Sequence, residues 1–172
     1  MTLPRLTRVL SLLCVAMFLG ACAAQKPVTR TSSALATKPE HDISKKPGKR
    51  MYVRTTAYHH SEPGGRVTAV GGYLRPTHSA AADWSWLPAG TKFRIVETGE
   101  DYIVEDYGSA LIGKFTIDLY KSTRGEMNRW GVRYVNIEII ELGSYKVSLA
   151  VLTPRQKYPH VRAMVYGLKK KV

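Results

Sequence analysis

Residues 102–120 read YIVEDYGSALIGKFTIDLY. Two short β-rich runs, DYIVED (101–106) and KFTIDLY (114–120), flank a loop punctuated by Gly108 and Gly113. Asp106 closes the first run and Asp118 stands inside the second, between Ile117 and Leu119. Just upstream, AAADWSWLPAGTKFRI (80–95) holds a third aspartate, Asp83. A carboxylate set against apolar strand sequence is costly unless it is hydrogen-bonded or performs chemistry.

Working outward, MYVRTTAY (51–58), TKFRIVE (91–97) and RYVNIEIIEL (133–142) carry further strand signals. Breakers separate them: Pro63-Gly64-Gly65, Gly71-Gly72, Pro88-Ala89-Gly90 and Gly99. One helix is marked between strands. Thr123 and Glu126 have capping-box spacing, Met127 and Trp130 offer an apolar face, and Gly131 supplies a stop. A second helix is expected near the end, where Val161, Met164, Val165 and Leu168 fall at helical spacing behind Pro159 and leave Lys169–Lys171 to solvent. Short strands with one inserted helix argue for a small, mainly β barrel. No internal repeat is present.

The N-terminus carries a different kind of information. Arg5 and Arg8 precede an apolar run from Val9 to Leu19, too short to span a bilayer comfortably. Leu19-Gly20-Ala21-Cys22 resembles the lipobox of bacterial lipoproteins, in which the cysteine becomes the acylated first residue. Residues 1–21 are therefore expected to be a lipoprotein signal peptide, with Cys22 as the lipidation site. Cys14 falls in the removed part, so no disulfide is expected. The lipobox resemblance implies an exported, lipid-anchored protein. Ala23, where lipoproteins of the inner membrane often carry Asp, points to the outer membrane facing the periplasm. Residues 22–50, rich in Lys, Pro, Thr, Ser and Ala, read as a disordered, flexible basic linker. Residues 51–152 form the compact domain, and 153–172 a basic helical tail.

The formal charge of +13 suggests a nucleic-acid or membrane partner. Its distribution weakens the first. Residues 51–152 hold 11 basic and 11 acidic residues, so the excess lies in the flanks. Export also argues against nucleic acid. Basic flanks beside a lipid suit anionic lipid or cell-wall polymer; solubilising tails are the alternative.

The stretches TTAY (55–58), TAVGG (68–72), SAAADWSWLPAGTKFRI (79–95), YIVEDYGSALIGKFTIDLY and WGVRYVNIEII (130–140) together resemble the 3D, or three-aspartate, domain. The specific part is the D-x-G-x-A-x-x-G-x-x-x-I-D-x-Y spacing. The resemblance spans roughly 51–142. It extends to the catalytic barrel of the membrane-bound lytic transglycosylase A family and, more distantly, to rare lipoprotein A. It implies a six-stranded double-psi β-barrel with one or two short helices, no cofactor, and peptidoglycan glycan strands as the partner. The expected activity is lytic transglycosylase-like cleavage between MurNAc and GlcNAc; a non-catalytic peptidoglycan-binding or structural lipoprotein is the alternative. The transglycosylase's second domain has no counterpart in this sequence. The protein is expected to be a monomer.

Residue by residue, the resemblance implies Asp118 as the catalytic acid, with Asp106 beside it. Asp83, Tyr58, Gly108, Ser109, Gly113 and Tyr120 are the implied substrate-binding residues. Two departures stand out: Ser109 replaces a glycine and Tyr107 a smaller residue, which narrows the groove. In lytic transglycosylases the muramic C6 hydroxyl attacks its own C1, so one carboxylate serves as acid and then base, unlike the usual pair of carboxylates. Burial and a neighbouring anion raise a carboxyl pKa as that role requires. Alternation puts Thr116, Asp118 and Tyr120 on one strand face, and Gly108 and Gly113 allow a sugar close to the backbone. At each aspartate a structural role, accepting backbone N–H groups at a turn, stands beside the functional one.

Other residues carry less. Adjacent His59 and His60 on a strand would point to opposite faces, and no set has metal spacing, so no metal site is expected. Trp84 and Trp86 would share one strand face and serve either as sugar platforms or as core.

Overall fold

The computed structural model describes residues 48–62 and 65–172. Cys22, the expected signal peptide and nearly all of the expected linker lie outside the described residues. Six strands form the fold: β1 (Arg50–Tyr58), β2 (Ser79–Ala81), β3 (Lys92–Ile95), β4 (Asp101–Asp106), β5 (Thr116–Tyr120) and β6 (Arg133–Glu141). They close into a barrel in the order β1-β5-β2-β4-β3-β6. β1 runs parallel to β5 and β2 parallel to β4, while the other neighbours are antiparallel. Strands adjacent in space are thus mostly distant in sequence, the interlocked connectivity expected of a double-psi barrel.

Alternation explains the core. Val53, Ala80, Phe93, Ile95, Tyr102, Val104, Ile117, Leu119, Val135, Ile137 and Ile139 point inward and are buried. Thr55 is the polar exception, and its hydroxyl is satisfied. It donates to the Arg133 carbonyl at 3.0 Å and accepts from the Trp130 indole at 3.2 Å.

The marked helix forms as read. α1 (Arg124–Trp130) has the full capping box between Thr123 and Glu126 and ends at Gly131, whose φ of 60° suits glycine. A second helix, α2 (Tyr145–Leu152), was not expected; Ser144 caps it by accepting from the Val147 N–H. The third, α3 (Pro159–Lys169), buries Val161, Met164, Val165 and Leu168. These join one core with the barrel residues. The helix comes close to the turn at Ser85 through Gly167, where a Cβ would lie 2.7 Å from the Ser85 Cβ. Among the described residues no helix is long and apolar enough to cross a membrane.

The two tryptophans do not share a strand face. Residues 84–86 are a turn, because Asp83 caps it and its carbonyl accepts from the N–H groups of Trp86 and Leu87. Both indoles are buried, and Trp84 Nε1 donates to the Asp106 carbonyl at 2.8 Å. They are core residues, so the sugar-platform reading is set aside.

Candidate active site

The barrel registers bring Asp118 and Asp106 onto one row. Thr56 of β1 pairs with Asp118 of β5, and Asp118 pairs with Ala81 of β2. Ala81 pairs in turn with Asp106 of β4. Directly paired residues share a face, so Thr56, Asp118, Ala81 and Asp106 lie across the outside of the barrel. The two aspartates are separated by one strand, about 10 Å between their backbones at ordinary strand spacing. The last pairing depends on an irregularity: Ala80 pairs with Val104, yet Ala81 pairs with Asp106. Glu105 is the extra residue of a β-bulge. Such bulges re-aim side chains; here the bulge brings Asp106, in place of Glu105, opposite Ala81. Glu105 instead accepts from the Ser79 hydroxyl and the Arg75 guanidinium, both at 2.7 Å.

Asp118 is half-buried and accepts a 2.6 Å hydrogen bond from the Thr56 hydroxyl. Its pKa is pushed up to about 6, chiefly by burial; the Thr56 bond and Arg54 oppose the rise, and Glu62 adds to it. Asp106 is also pushed up to about 6 by burial. Backbone N–H groups of Tyr107, at 2.8 Å, and Ala69 oppose that shift, as does Arg155. Both carboxyls are therefore poised to exchange a proton near neutral pH. Tyr58 lies between them in effect: burial first, then Asp106 and Asp118, push its phenol well above the ordinary range. Its buried hydroxyl has no hydrogen-bond partner among the described residues.

The segments after β1 close one side. His60 follows the strand end, in a turn, so strand alternation does not apply and its ring lies 3.8 Å from that of His59. The two histidines therefore do not point to opposite faces. Arg66 Nη2 lies 3.0 Å from His60 Nε2, which makes that nitrogen the acceptor; Nδ1–H then donates to the Tyr120 hydroxyl at 2.8 Å. His59 Nε2 donates to the Ser122 carbonyl at 2.9 Å. Among the described residues no group of three His, Cys, Asp or Glu is arranged to hold a metal ion.

Several expected substrate contacts also have structural roles. Asp83 is 2% exposed, and its carboxylate is consumed by the backbone N–H groups of Ser85 and Gly113, both at 2.9 Å. It ties the tryptophan turn to the loop before β5 and does not reach a ligand surface. Gly113 has a φ of 73° with open space around it, so its role is the turn that presents its N–H to Asp83. Gly108 is extended, and a Cβ there would press on Leu111 at 3.3 Å, so it serves packing more than sugar approach. Tyr120 is 5% exposed and engaged by His60, which leaves it supporting the site from below. Tyr107 and Trp84 form a T-shaped pair with ring centroids 5.2 Å apart, and His160 of α3 lies at 6.1 Å, so the Tyr107 ring is engaged in packing. Ser109 is exposed at the start of the short 3-10 turn Ser109–Leu111.

Three contributors were not anticipated. Thr56 was legible in TTAY, since alternation puts it on the same face as Tyr58. Arg155, in a 3-10 turn after α2, donates to the Ala69 carbonyl at 3.0 Å and so holds the TAVGG loop over Asp106. It lies beyond the expected domain boundary at residue 152, and nothing local marks it. Arg54, paired with Thr116 through a 3.3 Å bond, carries positive charge toward Asp118.

Residues 78–141 match the family model of the 3D domain, and all three aspartates fall within that match. Among solved structures, MltA from E. coli is similar over 48% of this chain and 29% of its own, at 20% identity and a TM-score of 0.36. The lytic transglycosylase LtgG of Burkholderia pseudomallei is similar over 48% of this chain and 28% of its own, at 22% identity and a TM-score of 0.34. The chain thus spans less than a third of the length of either. No curated protein matches.

Proposed function

We propose that this chain, which carries a 3D domain over residues 78–141, acts on peptidoglycan glycan strands as a lytic transglycosylase with Asp118 as its single acid and base. The observation that carries this reading is the environment of Asp118: a half-buried carboxyl, pushed up to about 6, on the outer barrel face and oriented by Thr56. Protonated Asp118 gives its proton to the glycosidic oxygen as the bond to C1 breaks. The muramic C6 hydroxyl attacks C1, and the Asp118 carboxylate accepts the proton that this hydroxyl releases. The product is a 1,6-anhydro sugar, and the carboxyl is restored. Asp106, on the same row, responds to the charge that develops at C1 when it is ionised. Lipid attachment at Cys22 would hold the domain at the outer membrane, within reach of the wall as a monomer.

Binding without cleavage is the second reading, and Asp106 favours it. Its carboxylate is already engaged by two backbone N–H groups, the ordinary use of an aspartate at a barrel turn. One experiment separates the two. Purified sacculi are digested with the wild type and with Asp118→Ala, and soluble products are resolved by mass. Anhydro-muropeptides from the wild type alone support cleavage. Equal co-sedimentation of both proteins with no soluble product supports binding only.

A further inference from the structure

The outer face of β1 continues away from Asp118 in an unusual way. Tyr52, Arg54 and Thr56 alternate onto the same side, with Val53 and Thr55 turned inward. Tyr52 is 65% exposed and Tyr134, paired with Arg54 on β6, is 59% exposed. Their rings stack at 5.6 Å and 25°. Each ring covers one face of the other and leaves its far face and edge to water. Beside Tyr134 lies a concavity of about 480 Å³, lined by Arg54, Lys114, Phe115, Thr116 and Tyr134; Thr116 is two residues from Asp118 on β5. Neither Arg54 nor Lys114 makes an ion pair among the described residues. Other basic residues of the barrel wall, such as Arg75, Lys92 and Arg94, are matched to carboxylates.

Lys114, which has no carboxylate partner among the described residues, and Arg54, whose charge also acts on Asp118, flank an exposed aromatic pair, and together they form a surface suited to one chemistry. Aromatic rings accept the apolar face of a pyranose, and unpaired cations accept carboxylate. We infer that the Tyr52–Tyr134 pair with Arg54 and Lys114 is a binding subsite for a carboxylate-bearing glycan, seating the strand along β1 next to Asp118. This inference rests on the proposed action at Asp118. Four residues separate Tyr52 from Thr56, about 13 Å along a strand, so the platform lies a short oligosaccharide's length from the acid. The cation pair supplies selectivity: a neutral chain gains only the stacking, an acidic one gains both.

The test uses the full chain in detergent, with Tyr52→Ala/Tyr134→Ala and Lys114→Glu variants. All three positions are exposed, and melting curves check that each variant folds. Binding is measured to short acidic peptidoglycan fragments and to neutral chitotetraose. Tenfold weaker fragment binding in the double tyrosine variant is expected, with a several-fold loss and a weaker salt dependence in Lys114→Glu. The wild type is expected to prefer the acidic fragments at least tenfold. Undiminished binding by the folded tyrosine variant, or equal wild-type affinity for both probes, overturns the subsite. In either case cleavage of sacculi by the wild type and not by Asp118→Ala would show that the action at Asp118 stands. A wild type that neither binds nor cleaves sacculi overturns both.

Discussion

Thr56 and Asp118 face one another across the parallel pair β1–β5, joined by a 2.6 Å hydrogen bond. The bond favours the ionised carboxylate, while burial favours the neutral acid. The first effect restrains the second and leaves the carboxyl near pH 6.

Thr56→Val removes the donor without changing shape greatly. Hydrogen bonds to charged groups contribute about 1.5–3 kcal/mol, so the Asp118 pKa should rise by about one unit or more. In the proposed reaction Asp118 must be protonated at the start, so activity falls as pH rises through its pKa. The alkaline limb of the pH–rate profile should therefore move upward by about one unit. Carbon-detected titration of the carboxyl checks the shift directly; an unmoved pKa would count against this role for Thr56.

Asp118→Asn should make the protein more stable at alkaline pH. The folded carboxyl titrates near 6, above the ordinary value of 3.8, so the folded state binds more protons than the unfolded chain between about pH 4 and 6. Stability from this group is present below the unfolded value and lost as pH rises through the folded one. The amide has no charge to bury and still accepts from Thr56. A gain of up to about 3 kcal/mol is expected at pH 8 and none at pH 3.5. Urea denaturation at the two pH values measures it.

Asp83→Asn should damage the fold. The carboxylate satisfies two buried backbone N–H groups; an amide offers one acceptor and turns its NH₂ toward the other donor. A loss of about 2–3 kcal/mol is expected, read from denaturant midpoints. Glycan affinity per folded molecule should stay unchanged, which a role in substrate contact would contradict.

Gly167→Ala should also destabilise, although alanine is the better helix former by about 1 kcal/mol. The new methyl would sit 2.7 Å from the Ser85 Cβ, and overpacking costs about 1–3 kcal/mol. A lower melting temperature is expected, and Gly167→Ala combined with Ser85→Gly should recover most of it.

The strands that announce themselves by alternation, such as RYVNIEIIEL, and the helix with a complete capping box were legible because each pattern is local. β2 was harder: Ser79–Ala81 is only three residues, held by neighbours on both edges. α2 was obscured by Val147 and Val151, which suit a strand as well, and only Ser144 marks its start. At the site, Asp118 and Tyr58 could be placed by period two. A turn-holding role for Asp83 could be read from its place before LPAGT, but not its second partner, because Gly113 lies thirty residues away in sequence. The bulge at Glu105 left no local signal, since it exists only in the pairing with β2.

The contact of Gly167 with Ser85 has a consequence for engineering. The segment recognisable as a 3D domain stops at residue 141, but Val161, Met164, Val165 and Leu168 share its core. Recognisable homology and the cooperative unit therefore have different ends. A chimera that grafts residues 78–141 into another protein would arrive with its tryptophan turn uncovered. A transplant of the barrel has to carry the chain from β1 at least to Leu168, so the minimal portable module is wider than the motif at both ends.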